Sequence, residues 1–373
     1  MKIAAEIGWG HKAGGARRVA INTLLEMARL RPDNRYLVCS NSRHQEFDNT
    51  AVLQKLLTAP LLIPQVIWDQ LFFPHIAVPL AVRGFRPDVI YYTNNIVSCW
   101  GRIPAVVTIH DMLPFVLPES FTYLHGAYQR SYFRLAVKKA VKIITVSENS
   151  KDDICRILRV AEKKVVVIPN GAKISERGGS GADAMDNLQT KFNITKPFIL
   201  YVGAIHPRKN VGRLIEAYYR LKMSKGIPHQ LVIAGSLRWK WKETIQVDAL
   251  DKIREHIIFT GEVYDSDLTD LYSNCDVFVY PSVYEGFGLP VLEAMSFGAP
   301  VVTSNTSSLP EVAGDAAVLV DPEDIHEISQ GIWKILDKPE FAGELREKGE
   351  NRAARFSWSN TAQKVSEVLE SVV

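Results

Sequence analysis

The sequence predicts an α/β chain of two doubly wound parallel-sheet domains in tandem. Its 373 residues exceed one ordinary core of about 100–200 residues. Short apolar, β-rich runs alternate with helical patterns, and the alternation starts afresh halfway along. That is the grammar of parallel sheets covered on both faces. Between the two series lies "KISERGGSGADAMDN", residues 173–187, rich in Gly, Ser and Asp and without apolar periodicity, which is the composition of a linker or surface loop.

In chain order, the apolar start "MKIAAEI" reads as the first strand, followed by "RYLVCS", "DVIYYT", "AVVTIHD", "KIITVS" and "KVVVIPNG". The most apolar region, Leu56 to Val82, is broken by Pro60, Pro64, Pro74 and Pro79 and carries Asp69, Gln70 and His75. It is expected to be a buried, irregular connection and not a membrane span. The second series is "FILYVGA", "QLVIAGS", "HIIFTGE", "VFVYPS" and "PVVTSN". After Asp321 and Pro322 only helical patterns remain, ending in "SWSNTAQKVSEVLESVV". The expected division is a first domain at 1–172, a linker or hinge at 173–196, a second domain at 197–355, and at 356–373 a terminal helix packing back across the domains.

Composition narrows the class. With 47% hydrophobic and 23% charged residues and no low-complexity tract, the chain reads as soluble and globular. Cys39, Cys99, Cys155 and Cys275 are scattered without metal or disulfide spacing, which fits a reducing cytoplasm, and the N-terminus lacks the features of a signal peptide. Residues 1–172 hold 22 Lys+Arg against 13 Asp+Glu, and the remainder 22 against 28, so the basic surplus belongs to the N-terminal half. Part of it falls on "YQRSYFRLAVKKAVK", where Arg130, Arg134, Lys138 and Lys142 recur every four residues on a predicted helix, beside an apolar face of Tyr128, Tyr132 and Leu135. Such a row attracts anionic lipid headgroups at a membrane surface or a phosphate-bearing acceptor, or is a solvated helix face. No nucleic-acid motif accompanies the charge.

Ligands of open parallel sheets sit beyond the carboxyl ends of the strands, so functional residues are expected just after strands. In "VYPSVYEGFGLPVLEAM" the strand is followed by Glu285 in a loop, Pro290 opens a helix that Gly298 ends, and Glu293 lies one turn inside it. Gly286, Phe287, Gly288 and Leu289 offer amides at that helix N-terminus, where an anion is favoured. Carboxylates accept from sugar hydroxyls while amides and cations hold phosphate, a combination suited to a nucleotide sugar. In "YVGAIHPRKNVGRLIEAY" a strand ends at Gly203, and Arg208 and Lys209 follow in a Pro-led loop. A planar fork beside a point charge fits a diphosphate. Taken separately, a turn-closing Glu285, a solvated Glu293 and a basic surface turn remain equally good readings.

"HPRKN", "EGFGLPVLEAMSFGAPVVTSN" and "SLPEVAGDAAVLVDP", in this order and spacing, closely resemble the retaining glycosyltransferases of family four, most densely over residues 197–322. The resemblance implies the GT-B fold, two facing Rossmann-like domains with a cleft between them. It implies that Glu285 and Glu293 are the two acids of the family's E-x7-E motif, the first at the donor sugar and the second at the ribose. Phe287, Gly288 and Leu289 would present amides, and Arg208 and Lys209 would neutralise the diphosphate. In the N-terminal half Gly14 and Gly15 match the glycine loop near phosphate or acceptor, although Ala16 and Arg17 stand where a third glycine is common. His110, in "TIHD", matches the active-site histidine beside the donor sugar.

Asp111, Asn170 and Gly171 end strands as further lining, with helix capping the alternative reading, and Ser147 is better read as a cap. Asp265 and Asp267 in "YDSDLTDLY" are not read as a metal site, because Asp267 is placed to cap a helix. No cofactor is expected. The implied function is a metal-independent retaining hexosyltransferase of polysaccharide biosynthesis, cytoplasmic, either free or peripheral on the inner face of the membrane. UDP-glucose is the first-choice donor and GDP-mannose the alternative, with a saccharide or lipid-linked saccharide hydroxyl as acceptor. An epimerase and a sugar-nucleotide-binding protein are the rivals, and Gly14-Gly15 lacks the glycine spacing of a dehydrogenase.

Overall fold

The computed structural model describes residues 1–8, 14–60, 63, 65, 68–172, 182–195, 197–237 and 241–373. Its contacts divide the chain into Met1–Gly171 with Phe356–Val373, and Ala172–Arg355.

The first unit holds seven parallel strands: β1 Lys2–Ile7, β2 Arg35–Ser40, β3 Val52–Leu56, β4 Val89–Tyr92, β5 Ala105–Thr108, β6 Lys142–Thr145 and β7 Val165–Val167. They lie in the order β3-β2-β1-β4-β5-β6-β7. Successive side chains of a strand alternate between faces, and here both faces are covered. Ile3, Ala5 and Ile7 enter one core with Leu24 and Met27 of the Gly15–Leu30 helix, while Ala4 enters the other with Phe73, Val82, Phe133 and Ile154. This two-sided burial is why the strands read as near-continuous apolar runs.

The terminal helix, Trp358–Glu370, belongs to this first unit. Ala362, Val365 and Leu369 join the core under β1. The chain's return is fitted closely: Thr361 Oγ1 donates to the Pro169 carbonyl at 2.8 Å. A β-carbon on Gly171 would come within 2.3 Å of the Trp358 backbone nitrogen.

The second unit holds β8 Phe198–Val202, β9 Gln230–Ala234, β10 Ile257–Gly261, β11 Val277–Tyr280, β12 Val301–Ser304 and β13 Ala317–Val320, all parallel. Their order is β10-β9-β8-β11-β12-β13. Both sheets therefore have the Rossmann-like order, with the direction of winding reversing between β1 and β4 in one and between β8 and β11 in the other. Such switch points open a crevice at the carboxyl edge.

Several expectations change. The Leu56–Val82 connection is helical from Trp68 onward: a wide-turned helix, Trp68–Ala77, leads into Val78–Val82, and Phe73, Val78 and Val82 are buried. Residues 173–181 and 196 of the expected linker lie outside the described residues. Residues 182–192 form a helix whose Leu188 is buried and whose Lys191 pairs with Asp267. The basic row is not one helical row. The helix ends at Lys139 and Lys142 opens β6, because the Val141 amide donates to the Ala105 carbonyl and draws the chain into the sheet. Two strands went unread, β3 and β13, and each is a sheet edge with half-exposed side chains. No helix among the described residues is long and apolar enough to cross a membrane.

Candidate functional site

The switch point of the second unit brings two separate sequence motifs together. β8 and β11 are hydrogen-bonded neighbours, Ile199 opposite Val277, so the turns that leave them meet. After β8, the tight turn Pro207–Lys209 starts at His206, whose Nδ1 accepts from the Arg208 amide. It ends at Asn210 in the left-handed conformation (φ 62°). Asn210 is held there by its side-chain amide, which donates to the Pro281 and Pro322 carbonyls at 3.0 and 2.6 Å.

Glu285, in the turn after β11, receives both cations. Arg208 Nη1 lies 2.7 Å from Glu285 Oε1 and donates to the Tyr284 carbonyl at 2.9 Å. Lys209 Nζ lies 2.5 Å from the same oxygen and also donates to the Tyr280 hydroxyl. Ser282 Oγ and the Tyr280 hydroxyl donate to that oxygen at 2.6 and 3.1 Å. Burial alone raises a carboxyl group, but the charges of Arg208 and Lys209 and their hydrogen bonds outweigh it and hold Glu285 well below the ordinary carboxylate range. Burial pushes the Tyr280 phenol far above its ordinary value, with Glu285 adding to the rise, so Tyr280 stays a neutral donor. Two cations and one anion leave this nearly buried cluster with a single positive charge, suited to an incoming anion.

The loop after β12 clamps the Glu285 turn. Ser307 and Ser308 both donate to the Glu285 carbonyl, at 2.6 and 2.9 Å, and Ser308 also reaches the Phe287 carbonyl. Gly288 (φ 109°) caps the Leu289–Ser296 helix, and a β-carbon there would lie 2.7 Å from Leu309 Cδ2. Gly286, Phe287, Gly288 and Leu289 thus form one turn entering one helix N-terminus, where amide dipoles converge. Glu293 is on that helix, half-buried, with Oε2 accepting from the Tyr272 hydroxyl at 3.1 Å. Gly203 directly follows β8, and a β-carbon there would come within 2.9 Å of the Tyr201 hydroxyl.

In the first unit, His110 follows β5. Its Nε2 lies 3.0 Å from the Thr93 carbonyl and its amide donates to Asn95 Oδ1. A carbonyl oxygen only accepts, so Nε2 carries the proton and Nδ1 is the basic nitrogen. Burial pushes the ring below its ordinary pKa, against the Thr93 hydrogen bond and the Asp111 charge, and keeps it neutral. Gly14 and Gly15 are exposed at the start of the Gly15–Leu30 helix, and a β-carbon on Gly14 would meet nothing within 4 Å. Residues 9–13 before them lie outside the described residues.

The remaining predicted residues have local structural partners. Asp111 Oδ1 accepts from the Leu113 amide, and Ser147 caps its helix by accepting from the Ser150 amide. Asn170 is buried and Gly171 makes room for the Trp358 backbone. Asp267 does not cap a helix: the helix starts at Asp265, and Asp267 is 1% exposed with Lys191 Nζ at 2.7 Å. Tyr280, Ser282, Asn210, Ser307 and Ser308 were not singled out from the sequence. Their signal was position, polar atoms at or after the carboxyl ends of β8, β11 and β12.

The comparisons agree with this architecture. A family model described as "Glycosyltransferase Family 4" matches residues 13–176, and one described as "Glycosyl transferases group 1" matches residues 186–352. O-antigen chain mannosyltransferase B of Escherichia coli is 34% identical over 280 residues, 75% of this chain and 73% of that protein. O-antigen chain mannosyltransferase RfbU of Salmonella typhimurium is 30% identical over 264 residues, 70% of this chain and 68% of that one. HepE of Anabaena, solved in complex with UDP and glucose, superposes over 100% of both chains with a TM-score of 0.77 at 20% identity, a likeness of fold. With two Rossmann-like parallel sheets in the GT-B fold and relatives at this level of identity, the chain belongs to glycosyltransferase family four.

Proposed function

We propose that this glycosyltransferase is a retaining, metal-independent hexosyltransferase of polysaccharide assembly. It moves mannose from GDP-mannose to a hydroxyl of a saccharide or lipid-linked saccharide. The observation that carries the reading is the Arg208–Lys209–Glu285 cluster at the switch point of the second sheet. The choice of donor rests on the relatives' names: two are mannosyltransferases, which favours GDP-mannose over the UDP-glucose first expected.

In this proposal the diphosphate meets Arg208 as a planar fork and Lys209 as a point charge, with the Phe287–Leu289 amides at the helix N-terminus beside them. Leaving-group charge grows in the transition state, and donors fixed in advance stabilise it most. Glu285 orients sugar hydroxyls and is a poor nucleophile, because one oxygen already accepts from four donors and the group stays ionised. Retention then requires front-face attack, with leaving phosphate taking the acceptor's proton. Glu293 is assigned to the ribose and His110, neutral, to the donor sugar, while Gly14 and Gly15 border the phosphate or acceptor.

A panel of nucleotide sugars incubated with a saccharide acceptor tests the reading. GDP-mannose is expected to give the fastest release of nucleotide and an α-linked product by nuclear magnetic resonance. Faster turnover with UDP-glucose reverses the donor assignment, and a β-linked product ends the retaining mechanism. Conversion of donor alone into another nucleotide sugar identifies an epimerase.

A further inference from the structure

Glu285 and Glu293 each accept a hydrogen bond from a buried tyrosine, and the two tyrosines belong to one packed set of rings. Tyr280 serves Glu285. Tyr272, buried on the Asp265–Asn274 helix, donates to Glu293 Oε2 at 3.1 Å. Side chains two apart on a strand share a face, so Phe278 and Tyr280 lie side by side on β11, their rings 6.0 Å apart and within 16° of parallel. Tyr272 meets the Phe278 ring edge-on at 5.5 Å. The spacing between the two phenols is therefore set by one apolar side chain against which both pack.

Tyr272 also grips the Leu289–Ser296 helix at two heights. Its hydroxyl reaches Glu293, and its ring stacks on Phe297, 5.7 Å away and within 5° of parallel. Phe297 is one turn beyond Glu293, and its amide donates to the Glu293 carbonyl at 3.1 Å. The Asp265–Asn274 helix is itself held by buried Asp267, which pairs with Lys191, and by Asp270, which accepts from Asn187 at 2.9 Å. A buried phenol needs a partner, and a backbone carbonyl would satisfy it. A carboxylate on a neighbouring helix gives the bond a further consequence. The last torsion of a glutamate is broad and roughly two-fold, so a fixed donor on one oxygen sets the plane of the whole group. A carboxylate accepts about four hydrogen bonds, so Tyr272 orients the acid without saturating it.

We propose that Tyr272 is a positioning residue for ribose recognition: it fixes the plane of Glu293 so that the carboxylate accepts from both hydroxyls of the donor's ribose. The aromatic cluster then serves two tasks. Through Tyr280 it holds the acid beside the sugar and diphosphate, and through Tyr272 it sets the discrimination between ribose and deoxyribose. The inference rests on the assignment of Glu293 to the ribose and is independent of the base that the donor carries.

The test uses the full chain, wild type and Tyr272→Phe, and calorimetry with GDP, 2′-deoxy-GDP and 3′-deoxy-GDP. The UDP series is run beside it, so that the ratio of ribose to deoxyribose affinity is read on whichever base binds. Wild type is expected to prefer the ribonucleotide over each deoxy form by about tenfold or more, the effect of one hydrogen bond to a charged group. Tyr272→Phe keeps the ring and its stacking. It is expected to lower that ratio about threefold or more, and to raise KM for donor with kcat changed less. Tyr280→Phe, acting on Glu285, is expected to keep the wild-type ratio. In a Glu293→Gln background, Tyr272→Phe is expected to change the ratio no further. Should Tyr272→Phe not fold, Phe297→Leu, which removes the ring on which Tyr272 stacks, is expected to lower the ratio in its place. A wild type indifferent to the ribose hydroxyls overturns the ribose assignment of Glu293 and the inference with it. A wild-type preference that Tyr272→Phe keeps in full, even with every nucleotide bound more weakly, overturns the inference alone, as does an equal fall in Tyr280→Phe.

Discussion

Lys209 Nζ lies 2.5 Å from Glu285 Oε1, joining the turn after β8 to the turn after β11 across 76 positions of sequence. The contact exists because β8 and β11 are neighbours at the switch point, although two strands, β9 and β10, intervene along the chain. It is also nearly buried, so its members depend on one another. Removing one charge of such a pair leaves the other without compensation, at about 3–5 kcal/mol. Glu285→Gln is therefore expected to lower the stability of the second unit by several kcal/mol. A nucleoside diphosphate supplies the missing anion, so added GDP should raise the melting temperature of the variant more than that of wild type. Equal increments in the two proteins would show that Arg208 and Lys209 do not meet the phosphates.

Arg208 tests the catalytic side of the same cluster. Its guanidinium is fixed by Glu285 and the Tyr284 carbonyl, the preorganisation that makes a donor effective against developing charge. Arg208→Ala is expected to lower kcat by roughly 10²–10³, by analogy with loss of one oxyanion donor. Steady-state nucleotide release by the purified, folded variant measures it. An unchanged kcat would remove Arg208 from the mechanism.

How much of this was legible beforehand depended on burial. Strands covered on both faces, such as "FILYV" and "VFVY", announce themselves by continuous apolar residues. β3, with Gln54 and Lys55 among its five residues, and β13, half-exposed, do not, because an edge strand satisfies a weaker pattern. Arg208, Lys209 and Glu285 could be named because they lie just after strands, where ligands of open parallel sheets sit, and within motifs that resemble those of the family. Their pairing could not, since it needs the strand order. Tyr280 was read as an apolar residue of its strand, and its hydroxyl acquires a role only where β8 and β11 meet. Asp267 was read as a cap because Asp near a helix start ordinarily is one. Here the 182–192 helix, hidden in a stretch of linker composition, supplies Lys191 and turns it into a buried ion-pair member.

Tyr280 leads to a third prediction. Its hydroxyl accepts from Lys209 and donates to Glu285, so it orients both without facing solvent. Tyr280→Phe keeps the ring and removes only these bonds, leaving Arg208 and Ser282 on the carboxylate. A hydrogen bond to a charged group contributes about 1.5–3 kcal/mol. The variant is expected to fold, with kcat reduced about tenfold or more and KM for donor changed less. A rise in KM with kcat unchanged would mean that Tyr280 shapes only ground-state binding.

Glu6 gives the first unit a pH dependence whose sign follows from its surroundings. It lies near the end of β1, 4% exposed, with its carboxyl so close to Gly8 that a β-carbon there would fall 2.0 Å from Oε1. Burial pushes its pKa up to about 8, opposed by a hydrogen bond from the Gly8 backbone. The folded chain therefore keeps Glu6 protonated while the unfolded chain ionises from pH 4.5 upward. The unfolded state binds fewer protons throughout that window, so this residue's contribution is fully present below pH 4.5 and falls by roughly 1.4 kcal/mol for each pH unit until pH reaches the folded value. Glu6→Gln replaces a neutral acid by a neutral amide of the same shape and removes the ionisation. Urea unfolding of the first unit, followed by hydrogen exchange on β1 and β4 at pH 5 and pH 8, is expected to show wild type losing stability with rising pH and the variant losing several kcal/mol less. Parallel losses in both proteins would mean that Glu6 is ionised in the folded chain, with a counter-charge reaching it.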